Sequence, residues 1–141
     1  AAMAADRLLV TLLVAALLLV EAALGVRDRP LVGAPVTIDD AGNSEGLQRA
    51  LRFAMAQYNK ASNDMYFSRV VRVISAKRQI VAGINYIMEV EIGRTTCQKP
   101  ATNLQNCPLS DAPQMSERTV CKFTVYSVPW ENKMELVENR C

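Results

Sequence analysis

The sequence predicts an α+β domain in which a curved antiparallel β-sheet wraps around one long α-helix. Apolar residues recur at helical spacing after residue 44, which indicates one amphipathic helix. From Tyr66 onward the chain is rich in β-branched and aromatic residues that alternate with polar ones, as in strands. A sheet with one buried face needs a cover, and this helix is the only candidate.

The helix is predicted to follow a polar turn at residues 39–44, where Ser44 or Asn43 can cap its first turn. Residues 61–64 favour turns and end it. Before the turn, Gly33 and Pro35 predict an extended arm that leads into a short strand within residues 31–38. The apolar positions of the helix fall at i, i+3, i+4, i+7 and i+11, and they are Leu47, Ala50, Leu51, Ala54 and Tyr58.

Four strands are predicted in two hairpins, at residues 66–79, 84–92, 118–128 and 133–140. Residues 94–116 contain two cysteines and three prolines, so we expect an irregular excursion there. The first hairpin tip has the sequence QIVAG, from Gln79 to Gly83, and the second turn is Pro-Trp-Glu-Asn at 129–132. If the hairpins lie side by side in the same sense, both tips and the arm emerge at one edge of the sheet.

The N-terminal segment predicts a secretory signal peptide over residues 1–25, followed by a domain over residues 26–141. An apolar run at residues 8–20 follows Arg7, and small residues at Ala23 and Gly25 suit cleavage near Gly25. The run is short for a membrane-spanning helix, which needs about 20 residues. A retained anchor is therefore the alternative, and we expect no membrane association once the leader is removed.

Four cysteines behind such a leader suggest two disulfides. Three connectivities are open, and the simplest joins neighbours, Cys97 with Cys107 and Cys121 with Cys141. A zinc site is a poor rival, because the chain has no histidine and no C-x-x-C pair.

The absence of histidine also removes Ser-His-Asp and Cys-His catalysis. No glycine-rich phosphate loop is present. The net charge is +2 and the basic residues are scattered among acids, which does not favour nucleic acid binding. We expect neither an enzyme nor a protein that needs a metal, a cofactor or a nucleic acid.

Each of the three pieces at the predicted edge carries apolar residues where water is expected. The sequences are Leu31-Val32 before Gly33, Ile80-Val81 before Gly83, and Pro129-Trp130. Singly, each has a plain structural explanation: a disordered arm, a glycine that the turn requires, and a core tryptophan. Gathered at one place, exposed apolar groups indicate a binding surface.

From residue 31 to residue 141 the sequence resembles the type 2 cystatins, secreted two-disulfide inhibitors of papain-like cysteine proteases. The resemblance lies in the arm glycine, the Q-x-V-x-G pattern, the Pro-Trp pair and the four cysteines in order. It implies the neighbour pairing of the disulfides, an extracellular location, and reversible, tight binding of a wedge in the protease active-site cleft. The residues it implies for protease binding are Leu31, Val32, Gly33, Gln79, Ile80, Val81, Ala82, Gly83, Pro129 and Trp130.

Two further expectations come from the same resemblance. Ser62, Asn63 and Asp64 resemble the site through which some type 2 cystatins inhibit legumain, an asparagine-specific protease; a simple helix-ending turn is the alternative. We also expect an active monomer in which the loop at a strained Val81 can open, so that the two strands and the helix swap between chains into a dimer that lacks the tip. A non-inhibitory, secreted cystatin-like interaction module is the alternative function.

Overall fold

The computed structural model describes Arg7 and residues 10–15, 33–100, 107–114 and 116–141. The chain divides into two compact units, Ala1–Leu31 and Val32–Cys141. In the first unit the described residues are helical, and the Thr11 hydroxyl donates to the Arg7 carbonyl at 2.9 Å. No helix in these described ranges is long and apolar enough to cross a membrane. Gly25 lies outside them, so cleavage there stays a prediction.

The second unit contains one long helix and a five-stranded sheet, which confirms the predicted α+β class. Adjacent strands pair antiparallel in chain order, so the sheet is a simple meander. Short 3-10 turns occupy Ala41–Asn43 and Pro129–Glu131. The main elements are β1 (Val36–Thr37), α1 (Glu45–Ala61), β2 (Tyr66–Val81), β3 (Gly83–Gln98), β4 (Arg118–Val128) and β5 (Lys133–Arg140).

Helix α1 begins at a polar cap and is held to the sheet at its other end. Ser44 is the N-cap, and its hydroxyl accepts a hydrogen bond from the Leu47 amide at 3.4 Å. Near the C-terminus, the Asn59 side chain donates to the Ser68 carbonyl at 2.9 Å and accepts from the Ser68 amide at 2.8 Å. The buried face comprises Leu47, Ala50, Leu51, Ala54, Met55 and Asn59, while Tyr58 of the predicted stripe is half-buried.

The core lies between α1 and the inward-facing residues of β3 and β4. Alternate positions on both strands are buried, as the period of two requires. Strand β2 carries three register shifts against β3, and such bulges bend a strand, so β2 can follow the helix. The strand residues in the core are Ala76, Tyr86, Met88, Val90, Ile92, Cys121, Phe123 and Val125.

Strand β3 is longer than predicted: it was expected to end at Ile92 but runs to Gln98. Gly93 and the polar residues after it resemble a turn in sequence. The expectation of irregular chain from residue 94 was wrong at this end, because β2 provides a partner as far as the pair Tyr66–Gln98. Thr95 lies at the register shift between the pairs Ser68–Arg94 and Tyr66–Gln98. It is buried, and its hydroxyl donates to the Phe67 carbonyl at 2.6 Å, which holds this end of β3 to β2.

Both disulfides join neighbouring cysteines, as predicted. Cys97 and Cys107 lie 5.7 Å apart between Cα atoms and close the excursion after β3. Cys121 and Cys141, with Cα atoms 4.1 Å apart, fasten the end of β5 to the middle of the sheet. Each bridge removes freedom from the unfolded chain and stabilises the fold by about 3 kcal/mol in the chain-entropy account.

Candidate functional site

The strand register brings three sequence-distant segments to one edge of the sheet. Strand β1 runs antiparallel to β2 with Val36 opposite Arg78, so the residues before Val36 head toward the end of β2. At that end the β2–β3 hairpin turns. Ile84 pairs with Ser127, which places the start of the β4–β5 turn beside the same hairpin. The geometric prediction of a shared edge is therefore confirmed.

The arm reaches this edge at Gly33 and is hydrogen-bonded to β2. The Gly33 amide donates to the Ile80 carbonyl at 2.9 Å, and the Gln79 side-chain amide donates to the Gly33 carbonyl at 3.1 Å. A Cβ at Gly33 would lie 3.3 Å from the Ile80 carbonyl oxygen, so the backbones approach closely. Leu31 and Val32, the two apolar residues of the arm, lie outside the described residues.

The QIVAG tip is a very tight hairpin that requires its glycine. Val81 pairs directly with Gly83, leaving Ala82 alone at the turn. Gly83 has φ of 142°, a conformation that L side chains rarely adopt. The positive φ of this tip thus lies at Gly83 and not at Val81, where strain was expected. Within the tip, Ile80 is 53% exposed.

Sequence reasoning missed Tyr126, which supports the tip from the neighbouring strand. Its hydroxyl donates a hydrogen bond to the Ala82 carbonyl, 44 residues away in sequence. A Cβ at Gly83 would lie 2.8 Å from Cε2 of the Tyr126 ring, so ring and tip are in close contact. The only available signal was the strand pairing, because Tyr126 lies opposite Asn85, two residues after Gly83.

The Pro129–Trp130 turn presents an aromatic side chain to solvent. Pro129 occupies the first position of a 3-10 turn, where its fixed φ is favourable. Asn132 closes the turn with φ of 50° and donates its amide to the Pro129 carbonyl at 3.2 Å. Trp130 is 71% exposed, so it is not a core residue.

The edge therefore combines exposed apolar side chains with a backbone that is rigidly hydrogen-bonded. Ile80 lies in the QIVAG tip and Trp130 lies in the neighbouring turn, and neither is part of the core. Exposed apolar side chains that gather at one place indicate a surface that another protein covers. The edge is suited to contact with a partner and not to chemistry on a substrate.

The second candidate segment, Ser62–Asn63–Asp64, lies at the other end of β2. Strands rise about 3.3 Å per residue, so the 16 residues of β2 separate the two regions by roughly 50 Å along the strand. Asn63 is exposed, whereas Ser62 and Asp64 are half-buried and hydrogen-bonded. The Ser62 amide ends α1 by donating to the Tyr58 carbonyl at 2.9 Å.

The Asp64 carboxylate lies in a well-satisfied electrostatic environment. Burial raises the pKa of Asp64, but the Tyr66 amide and the charges of Arg94 and Lys99 outweigh it, so the pKa lies below its ordinary value. The Tyr66 amide donates to Oδ1 at 3.0 Å, and Arg94 contacts Oδ2 at 2.7 Å and 2.6 Å. The side chain is ionised at neutral pH and fixed in place.

Comparison with known proteins assigns the chain to a family. The cystatin domain family matches residues 33–130, which run from the arm glycine to the exposed tryptophan. The chain belongs to the cystatin family. A cystatin of Gallus gallus is 61% identical over 140 residues, covering 99% of this chain and 99% of the relative. Cystatin-C of Homo sapiens is 47% identical over 139 residues, covering 97% and 94%.

A solved cystatin structure has the same fold. Dimeric human cystatin F superposes with a TM-score of 0.72 at 34% identity, covering 82% of this chain and 89% of that one. The present chain has the disulfides Cys97–Cys107 and Cys121–Cys141, which agrees with its resemblance to the two-disulfide cystatins. Cystatins inhibit cysteine proteases and are not enzymes, so the partners of this protein are cysteine proteases.

Proposed function

We propose that this cystatin inhibits papain-like cysteine proteases reversibly, with the arm, the QIVAG tip and the Pro129–Trp130 turn acting as one wedge in the active-site cleft. The observation that carries the proposal is the meeting of these segments at one edge, held by the bonds of Gly33 to β2. Leu31 and Val32 would fill non-primed subsites, and Gly33 lets the arm turn away from the catalytic cysteine.

In the same proposal the hairpin tips block the remaining cleft. Residues 79–83 cover its centre, where the tight turn at Ala82 presents mainly backbone. Trp130 packs on the primed side, and Pro129 stiffens the turn that carries it. No covalent step is needed, because the wedge works by occupying the cleft.

The energetics are compatible with tight binding. Five apolar side chains of the wedge would be buried, namely Leu31, Val32, Ile80, Val81 and Trp130. At about 1.5–3 kcal/mol each, their burial gives roughly 10 kcal/mol of gross stabilisation. Backbone hydrogen bonds from the tips add to this. Association itself costs several kcal/mol, and a wedge that is already ordered keeps the cost low. A dissociation constant near 1 nM corresponds to about −12 kcal/mol, which is within this range.

The first test is a titration of papain with the oxidised protein. The remaining papain activity is measured as the rate of hydrolysis of a fluorogenic peptide. We expect stoichiometric inhibition that dilution reverses. Replacing Trp130 with Ala should weaken it, whereas replacing exposed Gln98, at the far end of the sheet, should not. Absence of inhibition by folded monomer would favour the non-inhibitory interaction module instead.

We further propose that Ser62, Asn63 and Asp64 inhibit legumain, with Asn63 entering its asparagine-specific pocket. The supporting observation is that Asn63 is exposed between two residues that are hydrogen-bonded in place. Because this loop lies at the far end of β2 from the wedge, both proteases should bind together. Legumain inhibition should persist in the presence of saturating papain and disappear on Asn63→Ala. Mutual exclusion of the two enzymes would contradict this.

Secretion and assembly complete the proposal. We infer that residues 1–25 are removed and that the protein is extracellular, since its relatives belong to a secreted family. Mass spectrometry of protein secreted from cells should find a new N-terminus near Val26. We also propose that opening the β2–β3 hairpin permits a strand-swapped dimer without papain binding. Mild heating followed by size-exclusion chromatography tests this, and a monomer alone would count against it.

A further inference from the structure

The loop at Ser62–Asp64 is bound by two basic side chains, Arg94 near the end of β3 and Lys99 just after it. Lys99 donates its ammonium to the Asn59 carbonyl at 2.6 Å and to the Ser62 carbonyl at 2.9 Å. Its amide donates to the Met65 carbonyl at 2.8 Å. Lys99 thus satisfies carbonyls at the C-terminus of α1, where a positive charge is also favoured by the helix dipole.

Arg94 holds the other side of the loop. Its Nε and Nη2 atoms contact Asp64 Oδ2 at 2.7 Å and 2.6 Å, while the Tyr66 amide donates to Oδ1. Charge-assisted hydrogen bonds of this kind are about twice as strong as neutral ones and fix geometry. The Arg94 and Asp64 side chains are only about one quarter exposed, which reduces screening by water.

These contacts lie on both sides of the peptide bond between Asn63 and Asp64. On the N-terminal side, the Ser62 carbonyl is bound by Lys99. On the C-terminal side, the Asp64 carboxylate is bound by Arg94. The Asp64 amide also donates to the Ser62 hydroxyl at 3.1 Å, so the loop is closed across Asn63. Among Ser62, Asn63 and Asp64, Asn63 is the exposed residue.

We propose that Arg94 and Lys99 are positioning residues that keep the Asn63–Asp64 bond in one fixed conformation, so that an asparagine-specific protease binds it as an inhibitor and not as a good substrate. The inference rests on the proposed legumain function. A fixed loop binds with little loss of freedom, and it resists the backbone distortion that peptide hydrolysis requires. The pKa of Asp64 lies below its ordinary value, so the carboxylate stays charged opposite Arg94 at neutral pH.

The test compares Arg94→Gln, Lys99→Gln and Arg94→Lys with the unaltered protein. Legumain inhibition and cleavage are measured together, the latter by mass spectrometry. In cleavage, water adds across the Asn63–Asp64 bond, leaving a carboxyl group on Asn63 and an amino group on Asp64. We expect Arg94→Gln to weaken inhibition about tenfold and to accumulate cleaved protein several times faster. Arg94→Lys, which keeps the charge, should restore part of both.

Two controls separate local from global effects. Arg72→Gln removes another arginine–carboxylate pair, with Glu91 at 3.1 Å, that lies within the β2–β3 ladder away from the loop. It should change neither readout. Papain inhibition should be unchanged in all four variants, because the wedge lies at the opposite end of β2.

Each remaining outcome decides a different point. If the unaltered protein does not inhibit legumain and Asn63→Ala behaves identically, the proposed second function is wrong. If Asn63→Ala abolishes inhibition but Arg94→Gln and Lys99→Gln inhibit and resist cleavage like the unaltered protein, the positioning role is wrong. If Arg94→Gln misfolds and also loses papain inhibition, the positioning role is judged from Lys99→Gln and Arg94→Lys.

Discussion

Replacing Gly83 with Ala is the sharpest single perturbation of the proposed wedge. Gly83 has φ of 142°, which costs a residue with a side chain of order 1–3 kcal/mol. The new Cβ would also lie 2.8 Å from the Ser127 carbonyl oxygen and 2.8 Å from the Tyr126 ring. Real Cβ atoms essentially never approach this closely, so the tip must move away from β4.

We therefore expect Gly83→Ala to lower the free energy of unfolding by about 1–3 kcal/mol, measured by urea denaturation. Displacement of the tip should also break the hydrogen bond from the Tyr126 hydroxyl to the Ala82 carbonyl. A loss of about 1.4 kcal/mol of binding free energy corresponds to a tenfold weaker inhibition constant. We expect at least that change in a papain titration.

Gly42→Ala is the matched control, because a Cβ at Gly42 has no neighbour within 4 Å and its φ is not in the positive range. It should leave inhibition unchanged and stability unchanged or slightly higher. Equal stability and equal inhibition for Gly83→Ala and Gly42→Ala would refute the backbone argument. Lost stability with unchanged inhibition would remove the tip from the protease contact.

Three further predictions concern the arm, the second turn and the loop. Gln79→Ala removes the hydrogen bond to Gly33 and should weaken papain inhibition up to about tenfold. The control Gln98→Ala, which removes a hydrogen bond to Tyr66, should leave inhibition unchanged. Equal effects of the two substitutions would contradict the arm's role. Trp130→Ala should weaken inhibition by about 2 kcal/mol, roughly thirtyfold. Urea unfolding should be unchanged, because Trp130 is already 71% exposed. A loss of stability would mean that the Trp130 side chain packs against the rest of the domain. Asp64 has a lowered pKa in the folded protein, so its contribution to stability is complete above its ordinary value of 3.8 and is lost as the pH falls through the lower folded value. Unfolding measured between pH 2 and pH 6 should show this loss, and Asp64→Asn should flatten the curve; identical curves would refute the assignment.

Local sequence patterns predicted the elements well because the driving contacts repeat at fixed spacing. The apolar stripe from Leu47 to Ala54 predicted the buried face of α1 correctly. The alternation of apolar and polar residues likewise predicted which faces of β3 and β4 are buried. Met55 and Asn59 were missed. Asn59 is polar, and its burial depends on hydrogen bonds to Ser68 that only the folded chain provides.

The site was predictable in part. The shared edge follows from counting strand directions, so Gly33, the QIVAG tip and Trp130 could be brought together from sequence. Tyr126 and Arg94 could not, since each acts on a backbone or loop more than 25 residues away through a contact that requires the exact register. The end of β3 was misjudged for a related reason: Gly93 favours a turn locally, but β2 continues opposite it.

The bonds that shape the wedge involve mostly main-chain atoms: the Gly33 amide and the Ile80 carbonyl, the Ala82 carbonyl, and the Asn132 amide with the Pro129 carbonyl. The Ile80 and Trp130 side chains are 53% and 71% exposed and are not part of the core. Residues at these two positions can therefore be exchanged without rebuilding the scaffold. A selection experiment that randomises them should yield variants with altered protease preference and unaltered melting temperature, which makes this edge a practical starting point for engineering selective inhibitors.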